Sequence, residues 1–106
     1  DVFLAQLPGD LLSLTQALTR RDASELRLRA HRIKGAAANA SAYGLQQQAR
    51  ELEMAARKGD WDELADKVSQ VCRQAEIFVD LVRTTQRIKD KQRREEDNNV
   101  HIDCGG

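Results

Sequence analysis

The 106-residue chain has few of the residues that interrupt helices or build sheets. It contains one proline and six glycines, two of them at the very end, and only 4% of its residues are aromatic. This scarcity favours helices throughout. The composition agrees, since the chain is rich in alanine, leucine, glutamine, arginine and glutamate. The sequence shows no strand pattern, internal repeat or long low-complexity segment. It therefore predicts a single all-α domain.

Three further absences exclude classes of function. The 17 basic and 17 acidic residues balance, which argues against a broad electrostatic surface for nucleic acid. No apolar run is long enough to span a bilayer and no segment has the pattern of a signal peptide, so we expect no membrane contact by this domain. Cys72 and Cys104 have neither metal-ligand nor disulfide spacing. We therefore predict no metal site and a reducing, cytoplasmic compartment.

Apolar residues at intervals of three and four predict four helices. Pro8 suits the first turn of a helix that runs to about Arg20, with a short helical lead-in before it. Asp22 and Glu25 have capping-box spacing at the start of the second helix. That helix carries one continuous apolar face.

The third and fourth helices have similar boundary signals. Ser41 is predicted to cap a helix over residues 42–58, which Gly59 ends. Asp60 repeats the capping signal before the longest apolar pattern of the chain, which predicts a helix reaching at least residue 88.

Short connections between four helices predict an antiparallel up-down four-helix bundle with a long last helix. We place this bundle in residues 1–88. Residues 89–106 are predicted to form a charged helix extension and a C-terminal tail, because residues 89–97 carry charge on all faces and the tail has no periodicity.

The second helix contains the most informative group of residues, which are His31, Lys34 and Gly35. Glycine costs a helix interior about 1 kcal/mol relative to alanine, so its presence needs a reason. Close packing of another helix is one reason. Access is the other, because a helical side chain at i+4 tends to cover the residue at i. A helical layout places Gly35 and His31 away from the apolar face, which favours access to the imidazole.

The same outer face predicts a docking patch. Leu28 lies one turn before His31, where an exposed apolar side chain next to a bare glycine suits a protein partner. Arg27 and Arg32 add positive potential. The candidate partner-binding residues are Leu28, Arg27, Arg32 and Ala38. The simpler interpretations are incidental exposure of the leucine, solvated charges for the arginines and a packing role for the alanine.

These residues suit phosphoryl chemistry. A neutral imidazole is a nucleophile that can carry a phosphoryl group covalently. Lys34 can neutralise part of the charge on the phosphoryl oxygens. The sequence has no glycine-rich phosphate loop, no acidic cluster for Mg²⁺ and no second histidine within the bundle. It therefore predicts a phosphate acceptor and donor rather than a self-sufficient enzyme.

One segment resembles the core signature of histidine-containing phosphotransfer (HPt) domains: Ala30-His31-Arg32-Ile33-Lys34-Gly35-Ala36-Ala37. The family pattern is histidine, any residue, an aliphatic residue, lysine, glycine and two small residues, and every position is met. The resemblance covers about residues 2–85 and includes Phe3 to Leu18, Arg21-Asp22, Leu45, Leu52-Glu53 and Gly59-Asp60. One departure is visible, since Ser41-Ala42 stands where the family usually has glycine followed by alanine.

The resemblance implies a phosphocarrier in a two-component phosphorelay. It implies that His31 is phosphorylated, that Lys34 supports its charge and that Gly35 gives access. The implied partners are response-regulator receiver domains. The chain would need no cofactor of its own, and the Mg²⁺ of the relay would belong to the receiver. Because the sequence opens on Asp1, we expect the C-terminal module of a larger membrane-bound hybrid sensor kinase. Glu53 is interpreted as a structural residue.

Two alternatives stay open. The dimerisation and phosphoacceptor helices of a histidine kinase also present an exposed histidine, in a His-Glu/Asp-x-x-x-Pro context. Here Ala36 stands in the place of that proline, and no ATP-binding segment is present. A non-catalytic helical interaction module is the second alternative, against which the intact Lys34 and Gly35 argue.

Overall fold

The computed structural model describes the backbone of residues 2–105 and the side chains of residues 2–96. It contains four helices in this range and no strand: α1 (Val2–Thr19), α2 (Ala23–Asn39), α3 (Tyr43–Lys58) and α4 (Trp61–Gly105). Each helix packs on the next and α4 packs on α1, whereas the diagonal pairs α1/α3 and α2/α4 make no close backbone contact. This ring of neighbours, joined by short connections, confirms the predicted all-α bundle with a long last helix.

The core is formed by one apolar face of each helix. Its largest fully buried side chains are Leu7, Leu14, Leu26, Ile33, Leu45, Leu52, Leu64 and Val71. On α2 the buried residues follow the predicted three-four spacing. Within residues 2–96 no polar or charged residue is buried. Burial of apolar surface therefore holds the helices in place and leaves the polar groups for the outer faces.

The start of α1 differs from the prediction. Pro8 lies inside one continuous helix that begins at Val2, rather than in the first turn of a helix after a separate lead-in. An internal proline costs about 3 kcal/mol because it lacks an N–H and crowds the preceding turn. Packing offsets this cost, since Leu7 is buried and Phe3 meets Phe78 of α4 edge-on, with ring centroids 5.7 Å apart.

The turn between α2 and α3 also differs from the prediction. Ser41 has a positive φ of 59°. Its N–H donates to the Ala38 carbonyl at 3.1 Å, and the Ala42 N–H donates to the Ala37 carbonyl at 2.8 Å. These two bonds form a Schellman motif that ends α2. The predicted capping role of Ser41 is wrong, because Ser41 completes α2 and the next residue, Ala42, takes the N-cap position of α3 without a side-chain bond.

The predicted cap of α2 is half confirmed. Asp22 Oδ1 accepts a hydrogen bond from the Glu25 N–H at 3.1 Å. The Glu25 carboxylate does not return the bond but pairs with Arg29 Nε at 2.7 Å. The N–H of Asp22 donates instead to the Ala17 carbonyl at 2.9 Å. The backbone hydrogen bond that ends α1 therefore takes the place of the bond that the Glu25 carboxylate would accept in a complete capping box.

The fourth helix begins as predicted and then leaves the bundle. Asp60 Oδ1 accepts hydrogen bonds from the N–H groups of Asp62 and Glu63 at 3.1 and 3.2 Å, after Gly59 in the left-handed conformation with φ 74°. Every side chain from residue 83 to residue 96 is exposed. The helix thus continues beyond the other three, and the predicted division between residues 88 and 89 stays a prediction.

Candidate functional site

The outer face of α2 lies opposite its buried stripe. It carries Leu28, His31, Gly35 and Ala38, all of them exposed. The side chain of His31 is 64% exposed, and Leu28 is 43% exposed. The predicted exposure of the histidine, the glycine and the leucine is confirmed. Since the opposite side of α2 is anchored in the core, this face is both open and rigid.

Gly35 borders open space. A Cβ atom built on this glycine would meet no atom within 4 Å. The packing alternative is therefore wrong within the described part of the chain, because no neighbouring helix requires the absence of a side chain here. The glycine leaves a smooth backbone surface one turn beyond the imidazole of His31.

A carboxylate from α3 joins the two functional side chains predicted on α2. Glu53 Oε1 lies 3.1 Å from His31 Nδ1, and Glu53 Oε2 lies 2.7 Å from Lys34 Nζ. The Glu53 side chain is only 12% exposed, and that of Lys34 is 30% exposed. The three residues thus form a His31–Glu53–Lys34 cluster at the α2/α3 interface. Sequence reasoning gave Glu53 only a structural role, so this contact was missed.

The cluster determines which nitrogen of His31 is available. A carboxylate next to Nδ1 accepts a hydrogen bond and therefore favours the tautomer with its proton on Nδ1. In that tautomer Nε2 carries the free lone pair. Because the ring is largely exposed, Nε2 is open to a reactant while Nδ1 is engaged with the protein.

The electrostatics of the cluster keep Glu53 ionised. The hydrogen bond from Lys34 lowers the pKa of the Glu53 carboxyl, and the hydrogen bond from His31 and both nearby charges act in the same direction. Partial burial opposes them by raising the pKa, but the net direction is downward. A charged carboxylate therefore faces Nδ1 at neutral pH.

A shallow groove between α2 and α3 leads to the histidine. It is lined by Ser24, Arg27, Leu28, His31, Glu53 and Arg57. Three of the predicted site residues thus meet in one place, and Arg57 and Ser24 join them without having been predicted. Two cationic side chains line this groove, where they raise the local positive potential next to Nε2.

The remaining predicted residues lie around this groove. Lys34 contacts the site through Glu53, and Gly35 lies one turn beyond His31. Arg32 and Ala38 are exposed but do not line the groove. The only signal that pointed to Glu53 was the Leu52-Glu53 pair of the family resemblance, and this pair does not predict a contact with His31 or Lys34. Arg57 carried no comparable signal.

The arrangement provides a nucleophile and positive charge, without a metal centre in the part described. Within residues 2–96 no group of three or more histidine, cysteine, aspartate or glutamate side chains is placed to hold a metal ion. The same part has no helix that combines the length and the apolar character needed to cross a bilayer.

Comparison with known protein families gives a match over nearly the whole chain. The family model described as Hpt domain matches residues 1–103. No curated protein and no solved structure matches the chain.

Proposed function

The chain belongs to the Hpt domain family, which has a phosphotransfer role in phosphorelays, and from this premise we propose that His31 is the phosphorylated residue. It accepts a phosphoryl group from a phosphoaspartate of one receiver domain and passes it to another receiver. The observation that supports this proposal is the exposed imidazole whose Nδ1 is bonded to Glu53, beside the open surface of Gly35.

In the first transfer, the Nε2 lone pair of neutral His31 forms a bond to phosphorus while the bond from phosphorus to the aspartate oxygen breaks. The electron pair of the broken bond stays on the aspartate, which becomes a carboxylate. The phosphorylated imidazole gains a positive charge, and its Nδ1–H keeps donating to Glu53. The negative carboxylate therefore stabilises the charge that develops on the ring.

The second transfer reverses these steps. A carboxylate oxygen of the second receiver attacks phosphorus, the N–P bond breaks, and its electron pair returns to Nε2. No proton is gained or lost, so the chain needs no separate acid or base. The same Glu53 contact serves both directions.

The cations of the site have distinct roles in this proposal. Lys34 belongs to the cluster and can neutralise charge on the equatorial phosphoryl oxygens. Arg27 and Arg57 line the groove from α2 and α3 and add attraction for the phosphoryl group. The Mg²⁺ of the reaction is proposed to reside on the receiver, where it would bind the same phosphoryl group.

The open face of α2 is the proposed docking surface. A receiver must bring its aspartate to within bonding distance of Nε2, which requires its backbone to approach the helix closely. Gly35 and Ala38 leave little obstruction along α2, and Leu28 offers an apolar contact. We place this exchange in the cytoplasm, in line with the compartment that the two cysteines predict. Membership of a larger sensor kinase stays a prediction.

Phosphoryl transfer from a labelled receiver tests the proposal. We expect label to move from the phosphorylated receiver onto the chain, and a His31→Gln variant to stay unlabelled while keeping its helical circular-dichroism spectrum. Equal labelling of the variant would overturn the assignment. The absence of any labelling, even of the parent chain by several receivers, would instead favour the helical interaction module.

Incubation with ATP distinguishes the proposed phosphocarrier from the phosphoacceptor helices of a histidine kinase. A phosphocarrier takes no label from ATP alone, whereas the phosphoacceptor helices of a kinase take label once the matching ATP-binding domain is added. Labelling of His31 only in the presence of such a domain would contradict the receiver-based relay.

A further inference from the structure

The outward face of α4 carries an apolar strip that the bundle does not cover. Ile77, Leu81 and Ile88 are 50%, 61% and 53% exposed, and Thr84 lies between them on the same face. Their spacing of four, three and four residues is that of the a and d positions of a coiled coil. This face is separate from the α2 face that presents His31, because α2 and α4 are diagonal in the bundle.

The strip has the same spacing when it is read in either direction. Two copies that cross antiparallel therefore bring Ile77 of one copy opposite Ile88 of the other, and Leu81 opposite Thr84. Each of the four residues of one strip then faces a residue of the other strip, so that no strip residue is left unpaired.

The charges beside the strip favour this antiparallel register. Asp80 and Arg87 are exposed on the same flank and take part in no ion pair within residues 2–96. In the antiparallel register Asp80 of each copy lies opposite Arg87 of the other, so both charges gain a partner. A parallel register places Asp80 opposite Thr85 and gives no such pair.

We propose that α4 mediates a homodimer, in which the strip of Ile77, Leu81, Thr84 and Ile88 pairs antiparallel with the strip of a second copy. The flanking Asp80 and Arg87 set the direction. Because His31 lies on the diagonal helix, both copies of the relay site remain exposed in the dimer. Dimerisation and phosphoryl transfer therefore occupy opposite sides of the bundle.

The dimer is expected to be weak. A strip of four residues per copy is smaller than a standard protein interface, so the dimer should exchange with the monomer. Sedimentation velocity of the full chain between about 5 and 500 µM, a range that covers weak interfaces, should show a weight-average mass rising toward that of two copies.

Substitution of the strip provides the first test. Leu81→Asp should weaken dimerisation at least about tenfold, because each dimer loses two buried leucines and gains two charges. Leu12→Asp is the matched control, since Leu12 is similarly exposed, at 58%, but lies on α1. It should dimerise like the parent chain. A monomeric parent at the highest concentration, or an unchanged Leu81→Asp dimer, would overturn the proposal.

A charge exchange provides the second test and reports direction. Asp80→Arg alone and Arg87→Asp alone each place like charges opposite one another, so each should weaken the dimer. The double variant Asp80→Arg with Arg87→Asp restores opposite charges and should recover the parent affinity. Failure of the double variant to recover, or single variants with unchanged affinity, would overturn the antiparallel register.

Discussion

Glu53 lies 22 residues from His31 in the sequence, yet its carboxylate contacts both His31 and Lys34. The two contacts have different consequences. The lysine keeps the carboxylate charged, and the charged carboxylate holds the Nδ1 proton of the histidine. In the proposed transfer, a residue on a different helix thus controls the reactivity of His31. We assign Glu53 the role of a positioning residue in this proposal, because it contacts the imidazole that would carry the phosphoryl group.

Replacing Glu53 by glutamine tests that role. The amide keeps the size of the side chain but carries no charge to stabilise the phosphorylated imidazole. We expect transfer from a phosphorylated receiver to slow by about 10- to 100-fold, a range typical of outer contacts that orient a histidine. Rapid-quench kinetics measure this rate.

Glu51→Gln is the matched control for Glu53→Gln. It makes the same chemical change on the same helix, at a carboxylate that lies 3.7 Å from Lys67 and away from the groove. Its transfer rate should equal that of the parent chain. Equal rates for Glu53→Gln and the parent, with both proteins folded, would exclude a positioning role for Glu53.

The lowered pKa of Glu53 also predicts a dependence of stability on pH. The folded chain holds this proton less tightly than the unfolded chain does. The contribution of Glu53 is therefore complete above the ordinary range of a glutamate carboxyl and is lost as the pH falls through the lowered folded value. The free energy of unfolding of the parent, minus that of Glu53→Gln, should shrink between about pH 7 and pH 3. Urea titrations at each pH measure it, and a constant difference would contradict the expectation.

Two substitutions of Gly35 test separately its effect on the stability of α2 and its role in giving access to His31. Gly35→Ala should stabilise the helix by about 0.5–1 kcal/mol, since the new Cβ meets no atom within 4 Å. Gly35→Glu should fold, block the approach to His31 and repel a phosphoryl group. We therefore expect its transfer rate to fall by at least about tenfold, as like charge and steric obstruction combine.

Gly9→Ala is the control for the stability gain. Gly9 also lies within a helix and borders open space, but on α1. It should raise the thermal midpoint in the same way without any change in transfer. Normal transfer by a folded Gly35→Glu protein would show that the glycine does not serve access.

At the scale of the elements, the turn between α2 and α3 sets the geometry of the site, because these two helices provide His31 and Glu53. The turn depends on Ser41 in the left-handed conformation, which costs a residue with a side chain about 1–2 kcal/mol. Glycine adopts this conformation without that cost, which explains the glycine usual in the family at this position.

Ser41→Gly should therefore stabilise the chain by about 0.5–1 kcal/mol, after the greater freedom of glycine in the unfolded chain is subtracted. Ser41→Ala should be almost neutral, since Ser41 makes no capping bond to α3. Chemical denaturation of both variants measures these differences. A loss of about 1 kcal/mol in Ser41→Ala, the usual cost of removing a cap, would restore the capping role predicted from the sequence.

The helices themselves were predictable to different degrees. The buried face of α2 follows from residue spacing alone, because one amphipathic helix determines which of its sides is apolar. The continuous α1 was not predictable from its own residues. Pro8 interrupts the local pattern, and the packing of Phe3 on Phe78 that holds the first turn joins residues 75 positions apart in the sequence. The role of Ser41 was not predictable either, because a serine at this position can end α2 or cap α3, and only the backbone conformation of the turn decides between the two.

At the scale of the whole molecule, the contents of the site were predictable one helix at a time. His31, Lys34 and Gly35 belong to a single turn and its neighbour, so their spacing was sufficient. The contact of His31 with Glu53 depends on how far α3 is displaced along α2, which core packing sets. The residue pattern of neither helix predicts that displacement. The groove with Arg57 was missed for the same reason.

The two proposed functions lie on diagonal helices of the bundle. The proposed relay site faces outward from α2, and the proposed dimer strip faces outward from α4. A receiver that docks on α2 therefore does not compete with a second copy on α4. This separation means that phosphoryl transfer can be measured on the full chain at concentrations where it is monomeric or dimeric.

In the proposed transfer, Glu53 holds Nδ1 of His31 while Nε2 receives the phosphoryl group. Nitrogen-15 NMR of the imidazole, recorded on the full chain before and after incubation with a phosphorylated receiver, tests it most directly. We expect the proton on Nδ1 in the free chain, and phosphorus coupling to Nε2 after transfer. Phosphorus on Nδ1, or an imidazole spectrum unchanged while label accumulates elsewhere on the chain, would contradict the account.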